Sequence, residues 1–91
     1  MSITTAEKIE TIVYCYLMDN AFFGDYGTIT KIADDGSNKS FRVEADGLTV
    51  IVGALAYGSW CVFFKGTIIM DNDLFTAVEK ALKHGSFMGV S

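Results

Sequence analysis

Near the start of the chain the apolar positions recur at helical spacing. Ile9, Ile12, Val13, Tyr16 and Leu17 fall at i, i+3, i+4, i+7 and i+8, one stripe of a helix, and Glu7, Lys8, Glu10 and Thr11 lie off it. Thr4-Thr5-Ala6-Glu7 has the spacing of a capping box, in which the Thr4 hydroxyl and the Glu7 carboxylate satisfy each other's backbone donors. This pattern predicts a helix over about 5–20. From Gly27 the period changes to two, through GTITKIA, SFRVEA and LTVIVGA, and predicts strands over about 27–33, 40–45 and 48–55. Asp46-Gly47 suits a type I′ hairpin, whose two central residues need positive φ. That turn sets Val43 opposite Val50 and Phe41 opposite Val52 on one face, with Arg42 opposite Ile51 and Glu44 opposite Thr49 on the other.

The next segment breaks the alternation. Trp60, Cys61, Val62, Phe63 and Phe64 run together, where a strand with one wet face should alternate. Read as a single strand over about 60–70, its even positions, through Ile68 and Met70, face the core. Cys61, Phe63 and Ile69 then join Ile51 and Leu55 on the outer face. A turn or bulge at Lys65-Gly66 would reverse the facing after it and take Ile69 off that face. Asp71-Asn72-Asp73 can cap a second helix over about 72–84, buried along Leu74, Phe75, Val78, Ala81 and Leu82. Gly85 is placed to end it in a left-handed conformation, with His84 at its negative end and a tail over 85–91. The expected fold is α+β. A two-layer sandwich, it has a four-stranded antiparallel sheet with N- and C-terminal helices, α-β-β-β-β-α, as one small domain over 1–91.

The rest of the composition narrows the function. Half of the 91 residues are hydrophobic (51%), enough for a small core. The formal charge of −4 lacks the basic excess that sequence-independent nucleic-acid binding draws on, so no direct nucleic-acid contact is expected. Two isolated cysteines, Cys15 and Cys61, fit small buried hydrophobes in a reducing compartment better than a disulfide framework. Glu7, Lys8 and Glu10 stand where a secretory leader would be basic and then apolar, and no apolar run reaches membrane-spanning length. A cytoplasmic protein without membrane contact is expected.

Catalysis finds no inventory. The single histidine, His84, has no nucleophile placed beside it in the pattern, and its role is a helix cap. Asp71-Asn72-Asp73 opens like a calcium loop, but the glycine and glutamate that such a loop needs further on are missing. The glycines mark turns and have no phosphate-loop spacing. No catalytic residue, cofactor or metal is expected, and the chain reads as non-enzymatic.

Binding is what remains. Contiguous exposed apolar surface marks an interface, so Phe63 is the expected anchor, with Ile51 and Cys61 beside it and Tyr57 at the rim. The acids Asp25, Asp34, Asp35, Glu44 and Asp46 are expected around one end of the sheet, facing a basic partner; of these, Asp34, Asp35, Glu44 and Asp46 complete the candidate site. The AFFGDYG segment and the tail are the alternative cover for the apolar face. A small, acidic, proline-free α+β chain without chemistry of its own resembles the small inhibitors of phages and mobile elements, such as anti-CRISPR proteins. The likeness is one of size, charge and architecture, with no motif. It implies a cytoplasmic protein of a bacterial host that binds the basic surface of a nucleic-acid-handling complex, such as a CRISPR effector, by steric blocking more than by mimicry. Two other readings stay open: a homo-oligomeric structural protein, a homodimer for instance, associating through the apolar sheet face, and a small-ligand binder.

Overall fold

The computed structural model describes residues 4–18 and 26–89. The elements run α1 (Thr5–Leu17), β1 (Thr28–Asp34), β2 (Lys39–Ala45), β3 (Leu48–Ala54), β4 (Trp60–Phe64), β5 (Thr67–Asp71) and α2 (Leu74–Gly89). The α+β class holds, with an antiparallel sheet and two helices. Among the described residues the sheet has five strands, however, in the simple order β1-β2-β3-β4-β5. The expected strand over 60–70 is two strands joined at Lys65-Gly66. Both residues take positive φ, 48° and 82°, as a two-residue type I′ turn requires, so the chain reverses there. Each connection is a short reversal between neighbours, and every strand pair is antiparallel.

The β2–β3 hairpin follows the pattern in the sequence. Asp46 and Gly47 sit at φ 53° and 78°, and the pairs Val43–Val50, Phe41–Val52, Arg42–Ile51 and Glu44–Thr49 are all in register. One face of the sheet is therefore Phe41, Val43, Ala45, Val50, Val52, Val62 and Phe64, all buried. Both helices cover that face. From α1 come Ala6, Ile9, Ile12 and Val13, and from α2 come Leu74, Ala77, Val78 and Ala81. The capping box at Thr4 and Glu7 is formed, with the Thr4 hydroxyl accepting from the Glu7 N–H at 3.1 Å. At the start of α2 the Asp73 carboxylate accepts from the Thr76 N–H at 2.9 Å and orients the first turn.

Three expectations about the helices change. Leu17 is exposed rather than part of the buried stripe, because α1 reaches its last turn there, with Met18 as its C-cap; Asp19 and Asn20 lie outside the described residues. Gly85 does not end α2, which continues to Gly89, so His84 is an exposed residue within the helix and not a cap on its end. Gly85 is instead a point of close approach. A Cβ there would stand 2.8 Å from Phe64 Cε2 and 3.2 Å from the Phe64 carbonyl oxygen, so only a bare Cα lets α2 lie down on β4.

Candidate functional site

The face of the sheet turned away from the helices is built by the pleat, because residues directly opposite one another share a face. The register draws one outer row through Thr30, Arg42, Ile51, Phe63 and Ile68, and the next through Ala33, Ser40, Gly53, Cys61 and Met70. Both rows are polar or small over β1 and β2 and turn apolar toward β4 and β5. Phe63 is 42% exposed, Ile68 61% and Met70 64%, a concentration of large apolar side chains in water. Ile51 and Cys61 are half-buried between them.

The β4–β5 turn decides who belongs to this face. It reverses the facing after Phe64, so Ile69 turns inward and packs against the core, while Ile68 and Met70 turn outward. The expectation that Ile68 and Met70 are core fails for that reason, and the conditional one, that a turn at Lys65-Gly66 removes Ile69 from the outer face, describes the structure. Leu55 is half-buried in the β3–β4 connection, where its N–H donates to the Ser59 carbonyl at 2.9 Å. Ile68 and Met70 were legible only to a reader who took Lys65-Gly66 as a hairpin turn. A lysine at positive φ is a weak signal beside Asp-Gly.

Tyr57, at the tip of the β3–β4 loop, is 96% exposed and stands free of the core. Cys15 lies on α1 and Cys61 on the outer sheet face, so the sheet separates the two free thiols.

The acids do not gather at one end. Asp34 ends β1 and Asp35 opens the loop before β2, while Asp46 lies in the turn after it, with all seven residues of β2 between them. Asp25 lies outside the described residues. Each of the described ones already has partners within the chain. Asp34 accepts from the Gly36 N–H at 2.9 Å, and Asp35 from the Ser37 and Asn38 N–H groups at 3.0 and 2.6 Å, side-chain turns that shape the β1–β2 loop. Asp46 ties the β2–β3 turn to α1, accepting from Lys8 Nζ and from Thr5 Oγ1, each at 2.7 Å. Glu44 does lie on the outer face, at its polar side, 3.9 Å from Arg42 and within reach of the Thr28 and Thr49 hydroxyls. The apolar half of the face is thus bordered by a balanced pair of charges.

These bonds hold four carboxyls below the usual aspartate range. The Gly36 N–H does so for Asp34, the Asn38 N–H for Asp35, the Lys8 ammonium for Asp46, and the Asp73 N–H, helped by Lys80, for Asp71. Glu10 is pushed up instead, first by partial burial and then by Asp73 and Glu7. A depressed folded pKa adds stability that is present above the unfolded value of about 4 and is lost as pH falls through the folded one. Glu10 acts in the opposite sense, taking up its proton first in the folded state. The urea midpoint should therefore hold or rise slightly on acidification from neutral to about pH 5, then fall below about pH 4. Asp46→Asn, which keeps a residue suited to the turn, should flatten that fall. A midpoint unchanged down to pH 2.5 would contradict the assignment.

Among the described residues no cluster of His, Cys, Asp and Glu could hold a metal ion, and no helix is long and apolar enough to cross a membrane. The surface also has an open depression lined by Ser59, Met70, Asp71 and Asn72, in which the Ser59 hydroxyl already donates to Asn72 Oδ1 at 2.9 Å. No protein-family model, curated protein or solved structure matches the chain.

Proposed function

We propose that this chain is a non-enzymatic protein-binding module that meets its partner with the outer face of the sheet. The observation that carries the reading is the apolar half of that face, where Phe63, Ile68 and Met70 stand in water although both helices have been spent on the other side. Phe63 is the anchor, since it projects from a central strand between Ile51 and Ile68, and aromatic side chains in such positions dominate binding energy. Ile51 and Cys61 flank it, and Tyr57 is a second contact at the end of the molecule.

In its finer form the module is a small acidic inhibitor of the anti-CRISPR kind, acting in the cytoplasm of a bacterial host. It occupies a basic surface on a nucleic-acid-handling complex, and its net charge of −4 steers the approach. Asp34 and Asp35 are bonded within their own loop, Asp46 is bonded to α1, and Glu44 is balanced by Arg42, which favours blocking by the apolar face over mimicry of a phosphate backbone.

Phe63→Ser tests the surface. Its melting temperature should stay within a few degrees of the parent, while affinity for the partner falls at least about tenfold, or about 1.4 kcal/mol. The parent and the variant serve as paired baits in bacterial lysate, and a protein retained by one and lost by the other is then titrated against both. If both retain the same proteins with equal affinity, the outer face is not the contact surface.

A further inference from the structure

The sheet has two edges, and they are finished differently. β1 carries Lys31 and Asp34, paired at 3.6 Å, and its register slips between Lys31 and Ala33 at a bulge. Charge and a bulge are the usual guards against a further strand. β5, TIIMD, has neither a lysine nor a bulge within it.

The turn tells which backbone groups of β5 look outward. In a type I′ hairpin the Thr67 N–H returns to the Phe64 carbonyl, so Thr67, and by alternation Ile69 and Asp71, direct their N–H and C=O groups at β4. Ile68 and Met70 direct theirs at the sheet edge, where no other described strand lies. Their side chains are the two most exposed on the apolar half of the outer face.

We infer that β5 pairs antiparallel with β5 of a second copy of this chain about a twofold axis at Ile69. In that register Ile68 of one copy lies opposite Met70 of the other, and each such pair exchanges both of its backbone bonds, giving four in all. A shift of one residue in the summed register would point bonding groups at non-bonding ones. The ends of the strand agree with the same register. Thr67 of one copy comes opposite Asp71 of the other on both sides of the axis, so no two like charges face each other across the joint. The apolar rows continue across the joint, with Ile51, Phe63 and Ile68 of one copy running into Met70 and Cys61 of the other. The product is a ten-stranded sheet with one doubled apolar face. This inference concerns the edge and does not depend on what the face binds.

The test is the solution mass of the full chain with amide exchange read residue by residue. The parent should run at twice its 9.9 kDa at tens of micromolar, and the Ile68 and Met70 amides should exchange at least about tenfold more slowly there than after dilution to monomer. Ile68→Pro removes an N–H that β4 does not use and keeps the face apolar, so it should leave a folded monomer. Phe63→Ser should remain dimeric. A parent that stays at 9.9 kDa up to millimolar concentration overturns the inference. So does a dimer in which those two amides exchange freely, since the copies would then be stacked by their faces. If Ile68→Pro fails to fold, the parent's mass and exchange rates still decide.

Discussion

Val50→Asp is expected to abolish the folded state, whereas Ile51→Asp, one residue along, is expected to fold. Val50 is fully buried beneath the helices, opposite Val43 on β2. A carboxylate there has no partner, because every buried residue described is hydrophobic. An uncompensated buried charge costs at least several kcal/mol against a total stability of about 5 to 15. Ile51 lies on the other face between Arg42 and Phe63, where water reaches it. Far-ultraviolet circular dichroism with urea titration of the two variants makes the comparison. A cooperative transition for Val50→Asp near that of the parent would mean that the facing of β3 is wrong.

The second large effect is expected at Gly85. Glycine inside a helix is a poor choice, and replacing it by alanine at a solvent-facing site stabilises by up to about 1 kcal/mol. At Gly85 the sign should reverse, because the added methyl meets both the ring and the carbonyl oxygen of Phe64, itself nearly fully buried. Forcing volume into a packed contact costs about 1–3 kcal/mol, which outweighs the gain in propensity. Gly85→Ala should lower the melting temperature by several degrees, and Gly85→Val, larger and stiffer at χ1, should lower it further. A stabilised Gly85→Ala would show that α2 stands off β4.

Local chemistry made much of this molecule readable. The capping box at Thr4 and Glu7 needs only residues three apart. The Asp46-Gly47 turn needs only its own two φ angles, and through the period of two it places every side chain of β2 and β3 on a face. The same alternation puts Phe63 outward between Val62 and Phe64, and its exposure on the outer face was legible for that reason.

Tertiary structure decided the rest. Lys65 adopts a left-handed conformation that its residue type does not announce, and that one turn makes a fifth strand, turns Ile69 inward and brings Ile68 and Met70 to the outer face. The acids looked like one cluster because sequence distance hides the length of β2. Only the paired strands show Asp34 and Asp35 at one end, bound within their own loop, and Asp46 at the other, bound to α1. Gly85 carries the general lesson. In sequence a glycine after a helical stripe reads as a stop signal, since backbone freedom is its local property. In the fold its use is the side chain it lacks, and that depends on Phe64, far away in the chain and brought beneath it by packing. Local rules set conformation and periodicity, while the choice between two uses of one residue falls to whichever neighbour the packing brings near.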